Sequence, residues 1–547
     1  MKTSLLRLAA TCVAAVVLAS CTKTGSAPGT GGRVNAWTQP HVLRISDAGD
    51  VNTLNPHFGQ FLDVGYLSSM TMAWLVKFDL HNKPIPELAT EVPDQTNGGV
   101  SRDGLTITYH LRHGVRWSDG VPFNADDVVY TTQVVLNPAT NEIGRLGWDQ
   151  ITKIDEPDKF TVVYHLKKPY SPFVETFFST AGANPCILPK HLLSKYPNIN
   201  DVPYNSMPVG IGPFKYLRWD RAQDVILIPN PLYWRGTPKL KQVIFKIIPD
   251  RNTVLSQLQA HEIDMWYGVP GNYLARVQGI SGVSVLRQPG YLYGHLDFNT
   301  QHAALRDPIV REALRYALDR KTIHEKIGHG VGILQEVTTP VNAPYVVTSI
   351  PLVPFDIARA NLMLDQDGWT RGADGVRQKN GVRLALNFAT SAGTPDVDEQ
   401  IELIRSTWKQ IGVAIDVRHY ATNLMFAPTS SGGIIYSGKW DVVVFSWQNE
   451  AIGDVSPIYG CQSFPPNGQN NIRWCNPKAQ AAIMALFGHY QQVDRNKDVL
   501  AVEQTLTSDV PTIVTSLRED IYAHNSDLKN FHPNSITAFD NMMDVDI

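Results

Sequence analysis

The stretch WDVVVFSW, residues 440–447, has an unbroken apolar core at residues 442–445, where a half-exposed strand would alternate apolar and polar side chains. A strand that is buried on both faces has this composition, because helices cover both sides of its sheet. The stretch therefore predicts a central strand in a fold of the α/β class.

Three polar residues, Gln448, Asn449 and Glu450, follow this strand directly. In open α/β sheets, ligands bind in the crevice beyond the carboxyl ends of the strands. The sequence thus predicts that Trp447 and the three polar residues lie at a binding cleft. A polar loop that merely caps a core strand would give the same pattern, and the pattern alone leaves both interpretations open.

The rest of the chain alternates between the periodicities of strands and helices. Strand periodicity is found at residues 105–112, 242–250 and 383–390. Helical spacing of apolar side chains is found at residues 397–412 and at residues 307–320, where Asp307 is a suitable cap and Pro308 a suitable first residue. Mixed helices and strands along the chain predict α/β lobes.

The composition is that of a globular protein with room for large cores. The chain has 547 residues, of which 43% are hydrophobic and 18% charged, and its net charge is −3. With this slightly negative net charge, the chain lacks the excess of basic residues that binds nucleic acid. Beyond the N-terminal segment, no apolar run reaches the length of about 20 residues that spans a bilayer.

Residues 1–20 have the parts of an export signal. Lys2 and Arg7 form a basic start, residues 8–19 form a short apolar run, and small residues precede Cys21. Such an arrangement is typical of a secretory signal peptide and is too short for a membrane span.

Residues 18–21, LASC, resemble the lipobox of bacterial lipoproteins, in which the cysteine is lipidated. The resemblance implies that Cys21 carries a lipid anchor and becomes the first residue of the mature chain. Residues 21–40 would then be a flexible tether, because their first part is rich in Gly, Ser and Thr.

Two of the remaining cysteines, Cys461 and Cys475, flank the strong turn signal PPNG at residues 465–468. A turn there would bring the two sulfurs together, so we expect a disulfide, which persists outside the cytoplasm. Cys186 stands alone and is expected to be a small buried apolar residue.

Motifs for catalysis or metal binding are absent from the sequence. Residues 261–265, HEIDM, begin like a zinc-peptidase helix but place Met265 where the second histidine must stand. No G-x-S-x-G nucleophile motif is present. We therefore expect a protein that is not an enzyme, with no catalytic residues, no metal site and no cofactor.

Several segments together resemble the extracellular solute-binding protein family 5, the substrate-binding proteins of peptide and nickel ABC importers. These segments are DVNTLNPHF (50–58), SRDGLTITYHLRHGVRWSDGVPFNADDVVYT (101–131), GIGPFKYLRWDRAQDVILIPNPLYWRGTPKLKQVIFKIIPD (210–250) and FNTQHAALRDPIVREALRYALDRKTI (298–323). They occur in the order of the family, and the resemblance runs over most of residues 42–535.

The resemblance implies a type II periplasmic-binding-protein fold of the α/β class, in which a two-strand hinge joins two lobes and an extra domain is inserted in lobe one. Lobe two would be residues 289–515 and the inserted domain residues 75–187. Lobe one would combine residues 41–74, 188–288 and 516–547. The chain would cross between the lobes near residues 288–299 and 512–525.

The resemblance also implies a peptide site. In oligopeptide-binding members, an acidic residue three places after the tryptophan of the central strand receives the terminal ammonium of the peptide. These positions correspond to Trp447 and Glu450 here, where the family usually has an aspartate. The further candidate ligand-binding residues are Ser446, Gln448 and Asn449 for main-chain contacts, Gln60 from lobe one, and Trp148 as a wall.

Two departures from the family pattern concern the ligand. A tyrosine that helps to hold the ammonium has no match near residues 143–148, and a second pocket tryptophan is missing near Asn423.

The sequence therefore predicts a monomeric, lipid-anchored extracytoplasmic protein that captures peptides by hinge closure and delivers them to the permease and ATPase subunits of an ABC importer. One alternative keeps the fold but changes the ligand to a nickel chelate, an oligosaccharide or haem. Tryptophans that could stack on sugars are Trp37, Trp74, Trp148, Trp440 and Trp447. A surface hydrolase is the alternative from another class.

Overall fold

The computed structural model describes residues 34–47, 51–59, 62–142, 145, 147–180, 185–427, 431–451, 453–466 and 468–547. Residues 39–547 form one compact unit, and residues 1–38 are a separate unit. Within the latter, residues 34–38 form a turn in which the Thr38 N–H donates to the Asn35 carbonyl at 3.0 Å. The predicted signal peptide, Cys21 and Gln60 lie outside the described residues.

Helices and strands alternate along the described chain. The strands are β1 Val42–Asp47, β2 Val76–Phe78, β3 Pro84–Pro86, β4 Thr106–His110, β5 Ile151–Asp158, β6 Thr161–Leu166, β7 Phe214–Asp220, β8 Asp224–Pro229, β9 Gln242–Ile247, β10 Met265–Tyr267, β11 Val283–Phe298, β12 Thr370–Arg371, β13 Arg377–Lys379, β14 Val382–Arg383, β15 Ala385–Ser391, β16 Ala414–Tyr420, β17 Val442–Gln448 and β18 Thr512–Asn525.

The α-helices are α1 Leu62–Thr71, α2 Ala125–Leu136, α3 Pro172–Thr176, α4 Lys190–Leu193, α5 Arg251–Gln259, α6 Gly271–Gln278, α7 Pro308–Tyr316, α8 Arg320–Thr322, α9 Ile357–Gln366, α10 Pro395–Gln410, α11 Thr422–Met425, α12 Ile434–Ser437, α13 Ser456–Tyr459, α14 Pro477–Leu486 and α15 Gln492–Asp509. In the part of the chain that the structure describes, none of them is long and apolar enough to cross a membrane.

One large mixed sheet organises the molecule. Its strand order is β16-β15-β17-β11-β18-β10-β1-β9-β8-β7. The long strands β11 and β18 pair with each other antiparallel and join two halves of the sheet, and their register shifts between Pro289 and Tyr293. The strands within each half are joined through helices and loops, as in α/β folds.

The sequence stretch at residues 440–447 forms β17, which lies between β15 and β11. Val442 and Val444 contribute to a core on one face of the sheet, and Val443 contributes to a core on the other face. The prediction of a strand buried on both faces is confirmed for these three residues.

The predicted helix at residue 307 is also present. Asp307 accepts a hydrogen bond from the Ile309 N–H at 3.0 Å, and Pro308 is the first residue of α7. Pro is favourable at this position because the first N–H of a helix has no partner within the helix.

Residues between β2 and about residue 187 enclose a core of their own. The three-stranded sheet β4-β6-β5 packs with α2 around Ile107, Tyr109, Trp117 and Tyr164. A capping box starts α2: the Asn124 side chain caps the first turn, and the side chain of Asp127 accepts from the Asn124 N–H.

Candidate functional site

The carboxyl-terminal end of β17 has one paired edge and one open edge. On one side, residues 442–448 pair with β11. On the other side, β15 pairs only with Val442 and Val443. Among the described residues, no strand has a residue paired with residues 444–448 on the second edge, and no loop forms a backbone hydrogen bond there. This edge therefore presents backbone donors and acceptors to a ligand.

Side chains at this end of β17 are accessible. Ser446 is exposed, whereas Phe445, Trp447 and Gln448 are half-buried. The Trp447 ring lies 4.9 Å from the Phe445 ring at a steep angle, and Phe426 contacts Phe445 at 5.7 Å between ring centres. These aromatic rings form an apolar wall beside the open edge.

Asn449 fixes the loop that leaves β17. Its backbone N–H donates to the Tyr291 carbonyl at 2.8 Å, and its side-chain amide donates to the Thr338 carbonyl at 2.9 Å. The Asn449 side chain is buried. Because its N–H and amide are already used within the protein, Asn449 supports the loop more than it offers donors to a ligand.

Thr338 is held in turn by Glu503 of α15. The Thr338 N–H donates to the Glu503 carboxylate at 3.1 and 3.2 Å, and the Thr338 hydroxyl donates to the same group. Burial raises the pKa of Glu503 to about 7, although these hydrogen bonds act in the opposite direction. The network ties α15 to the loop after β17.

Glu450 differs from Glu503 in its surroundings. Its backbone carbonyl accepts from the Tyr345 hydroxyl at 2.5 Å, but its carboxylate has no hydrogen bond or ion pair with any of the described residues. Burial, and then the charge of Asp454, raise the pKa of the Glu450 carboxyl to about 7. The carboxylate is thus partly desolvated without a compensating partner in the described protein.

Asp454 and Tyr170 lie close to Glu450. Asp454 is buried and accepts from the Ser456 N–H at 2.8 Å, and burial raises its pKa. Burial, and then the charges of Asp454 and Glu450, raise the pKa of Tyr170. Tyr170 comes from the region of residues 75–187, so the two carboxylates face that region.

The loop after β17 also meets a third part of the chain. Ala451 packs with Phe78 near β2 and with Ile536 after β18. Residues 449–451 and 453–454 therefore lie where the two halves of the large sheet and the region of residues 75–187 come together. This junction, together with the open edge of β17, is the candidate ligand cleft.

Trp148 does not line this cleft, which corrects the sequence prediction. Its ring stacks on Phe177 at 4.5 Å and contacts Phe178 at 5.0 Å, inside the core of the region of residues 75–187. With 2% of its surface exposed, the side chain has no room for a ligand. An aromatic core position looks the same in sequence as an aromatic wall.

Two of the tryptophans suggested for sugar stacking are core residues for the same reason. Trp74 packs in the core around β1, and the Trp440 indole N–H donates to the Ile435 carbonyl at 2.8 Å within a buried cluster. Trp447 is the half-buried tryptophan at the cleft.

Cys461 and Cys475 are joined by a disulfide, with 4.8 Å between their Cα atoms. Asn470 lies inside the closed loop, and its side chain donates to the Trp474 carbonyl within the loop and to the Gly460 carbonyl just before it. Cys186 is a buried free thiol. No group of three or more metal-binding side chains is found among the described residues.

Sequence reasoning missed Tyr345, Tyr170 and Phe426 at this site. They lie far from β17 along the chain and carry no motif, so their positions depend on the tertiary fold. The only signal available was the presence of aromatic residues in loops, which many loops share.

The comparisons with known proteins agree with this architecture. Residues 83–468 match the family described as bacterial extracellular solute-binding proteins, family 5 Middle. The chain belongs to the family 5 extracellular solute-binding proteins. The chain is 30% identical to Protein XP55 of Streptomyces lividans over 406 residues, which are 74% of this chain and 71% of that protein.

Further relatives span nearly the whole chain. The oligopeptide-binding protein AppA of Bacillus subtilis is 24% identical over 522 residues, covering 93% of this chain and 92% of AppA. The structure of that protein in complex with a nonapeptide superposes with a TM-score of 0.76 at 22% identity, covering 93% and 99% of the two chains. The structure of NikZ from Campylobacter jejuni in complex with Ni(L-His) superposes with a TM-score of 0.77 at 22% identity. The superposition covers 93% of this chain and 100% of the NikZ chain.

Membership of family 5 has direct consequences. The fold is the type II periplasmic-binding-protein fold with a large mixed sheet. The relatives are substrate-binding proteins rather than enzymes, and proteins of this family act outside the cytoplasm. This protein is therefore a family 5 solute-binding protein whose relatives bind peptides or nickel complexes.

Proposed function

We propose that this protein captures peptides outside the cytoplasm and delivers them to an ABC importer, with Glu450 receiving the terminal ammonium of the peptide. The observation that carries the proposal is the Glu450 carboxylate, which is partly desolvated, lies beyond the end of β17 and has no partner among the described residues. A cation from outside the protein would offset the cost of its burial.

The open edge of β17 suits an extended peptide. Backbone groups of residues 444–448 would pair with the peptide main chain as an added strand, which gives affinity independent of sequence. Ser446 is exposed at this edge, Gln448 and Trp447 flank it, and Phe426 and Phe445 would contact apolar side chains of the peptide. The similarity to AppA, an oligopeptide-binding protein, supports the same ligand class.

Capture would proceed by closure of two lobes about β11 and β18. Lobe one would comprise residues 41–74, 188–288 and 516–547, with residues 75–187 inserted, and lobe two would comprise residues 289–515. The register shift between Pro289 and Tyr293 is a suitable place for bending. The closed form would present one surface to the permease, with the protein acting as a monomer.

Cys21 would carry a lipid anchor, and residues 21–40 would tether the binding domain to the outer face of the membrane. Such a tether keeps the receptor near its permease while leaving it free to rotate.

A nickel complex is the second candidate ligand. The similarity in fold to NikZ, solved with Ni(L-His), favours it. Native mass spectrometry of the purified protein separates the two candidates, because peptides give a series of bound masses whereas a nickel complex gives one mass with the isotope pattern of the metal.

The test of the proposal is the affinity for synthetic peptides of up to nine residues, the length bound to AppA, with free or acetylated amino termini. The raw attraction of an ammonium at 4 Å is about 4 kcal/mol at an effective dielectric constant near 20, and desolvation cancels part of it. We expect Glu450→Gln to weaken binding of free peptides by roughly tenfold to a thousandfold. Acetylated peptides should bind poorly to both forms.

The matched control is Glu402→Gln, since the Glu402 side chain is 61% exposed and, among the described residues, forms an ion pair only with Arg405 on the same helix. It should leave all affinities unchanged. Equal affinity of the unmodified protein for free and acetylated peptides would exclude Glu450 as the ammonium receptor.

A further inference from the structure

Two segments that are far apart in sequence contact each other beside the candidate cleft. One comprises residues 170–175, around the start of α3, and the other comprises residues 486–495, around the turn between α14 and α15. The Tyr170 and Phe487 rings lie 5.2 Å apart, and Phe487 and Tyr490 pack against the core of the region of residues 75–187.

The polar contacts between these segments are short and specific. The Ser171 N–H donates to the Phe487 carbonyl and the Ser171 hydroxyl donates to the Leu486 carbonyl, both at 2.8 Å. The Tyr490 hydroxyl accepts from the Tyr170 N–H and donates to the Gly104 carbonyl, both at 3.2 Å.

A buried ion pair completes the contact. Arg495, near the start of α15, lies 2.9 Å from the Glu175 carboxylate, and the two side chains are 7% and 14% exposed. Partners in such a shielded pair attract each other strongly, whereas either one left alone in the same place is costly. Separation of the two segments would return both charges to water.

We name these contacts the clasp, and its residues are Tyr170, Ser171, Glu175, Leu486, Phe487, Tyr490 and Arg495. The clasp consists wholly of protein groups. One side of the clasp precedes β11 in the chain and the other lies between β11 and β18, so a hinge motion about these two strands would separate the two sides.

The clasp is also linked to the ligand loop. The same helix that carries Arg495 carries Glu503, which holds Thr338 and, through Thr338, the side chain of Asn449. A displacement of α15 therefore moves both the clasp and the support of Glu450.

We infer that the clasp is a built-in closing device that holds the two lobes together without a ligand. Its contacts lower the free energy of the closed form whatever the ligand is, so the inference stands whether the cargo is a peptide or a nickel complex. The clasp thus favours the closed form before any ligand binds, and a bound ligand shifts the equilibrium further toward that form.

The test is small-angle X-ray scattering of the full-length mature chain with no added ligand, after native mass spectrometry has shown that nothing is bound. Arg495→Met keeps the aliphatic stem and removes the charge, and Tyr490→Phe keeps the ring and removes the hydroxyl. We expect the unmodified protein to match the scattering calculated from the structure in which the clasp is formed, and both variants to shift to a larger radius of gyration.

Lys497→Met is the matched control. Lys497 lies on the same helix, its side chain is 71% exposed, and in the part of the chain that the structure describes it forms an ion pair only with Asp494. It should scatter like the unmodified protein. The double variant Glu175→Gln with Arg495→Met leaves no unpaired charge, so it should shift less than Arg495→Met alone.

Circular dichroism checks that each variant is folded, and Ser171→Ala replaces Arg495→Met if the latter does not fold. Clasp variants that scatter like the unmodified protein would overturn the inference, as would an unmodified protein that is already open. Neither result depends on the identity of the ligand, so the inference and the proposed function can fail separately.

Discussion

Two glutamates near the cleft, Glu450 and Glu503, have the same raised pKa of about 7 but different surroundings. Glu503 accepts hydrogen bonds from the N–H and hydroxyl of Thr338. Glu450 has no such partner among the described residues. Burial of a carboxylate is unfavourable in both places, but only at Glu503 does the protein itself compensate for it.

The difference separates a structural role from a binding role. A buried carboxylate that organises neighbouring donors contributes to the fold, and its loss leaves those donors unsatisfied. A buried carboxylate that has no hydrogen-bond or ion-pair partner lowers the stability of the fold. Proteins retain such a group at functional sites, where activity requires it at the expense of stability. A raised pKa alone would not have distinguished the two residues, whereas the hydrogen-bond partners do.

The largest expected effect is on stability at Glu503. Glu503→Ala would leave the buried Thr338 donors without partners and open a cavity, so we expect a loss of about 3 kcal/mol in the free energy of unfolding. Near pH 4.5, where the folded protein keeps the Glu450 carboxyl protonated, Glu450→Ala should change the free energy of unfolding by less than about 1 kcal/mol, since no hydrogen bond is lost. Urea unfolding of both variants measures the two changes in the free energy of unfolding. Equal losses in the two variants would contradict the assignment of a structural role to Glu503 and a binding role to Glu450.

A smaller effect concerns the pH dependence of stability. The ordinary pKa of Glu450 is 4.5, and in the folded protein it is about 7. Between these values the unfolded chain has released the proton while the folded chain still binds it, so stability falls as pH rises through this window. Below pH 4.5 both states are protonated, and above pH 7 the loss is complete.

Glu450→Gln removes this contribution. We expect the variant to match the unmodified protein near pH 4.5. At pH 8 it should be more stable by about 2 kcal/mol, because burial raises the pKa of the Glu450 carboxyl to about 7 and solvent offsets part of the cost of ionising it. Thermal unfolding at the two pH values measures it, with Glu402→Gln as the control. Parallel curves for Glu450→Gln and the unmodified protein would show that Glu450 is not desolvated.

Local patterns in the sequence predicted much of the fold. The apolar stretch at residues 440–447 gave a strand buried on both faces, and Asp307 with Pro308 gave a helix start, because burial and capping leave local signatures. The family motifs supplied the fold class, which no single periodic segment could have done. The lobe and domain boundaries stay predictions.

The site was predictable only where it follows directly from a strand. Glu450 stands at the end of β17, so its position near a cleft could be inferred. Trp148 was assigned to the cleft wrongly, because an aromatic residue in a separate core has no distinguishing local pattern. Tyr345 and Glu503 could not be found, since their contacts with the loop join residues that are more than 50 positions apart in sequence.

The central claim is that the Glu450 carboxylate, which has no partner among the described residues, binds the terminal ammonium of a peptide. The number of protons released on binding tests this claim most directly. Titration calorimetry at pH 6, in two buffers of different ionisation enthalpy, counts the protons released when a free-amine peptide binds. With a pKa of about 7, Glu450 is mostly protonated at pH 6, and pairing with an ammonium would release about 0.9 proton per peptide. The account predicts this value for the unmodified protein and a value near zero for Glu450→Gln, whereas equal release from both proteins, or none from either, would contradict it.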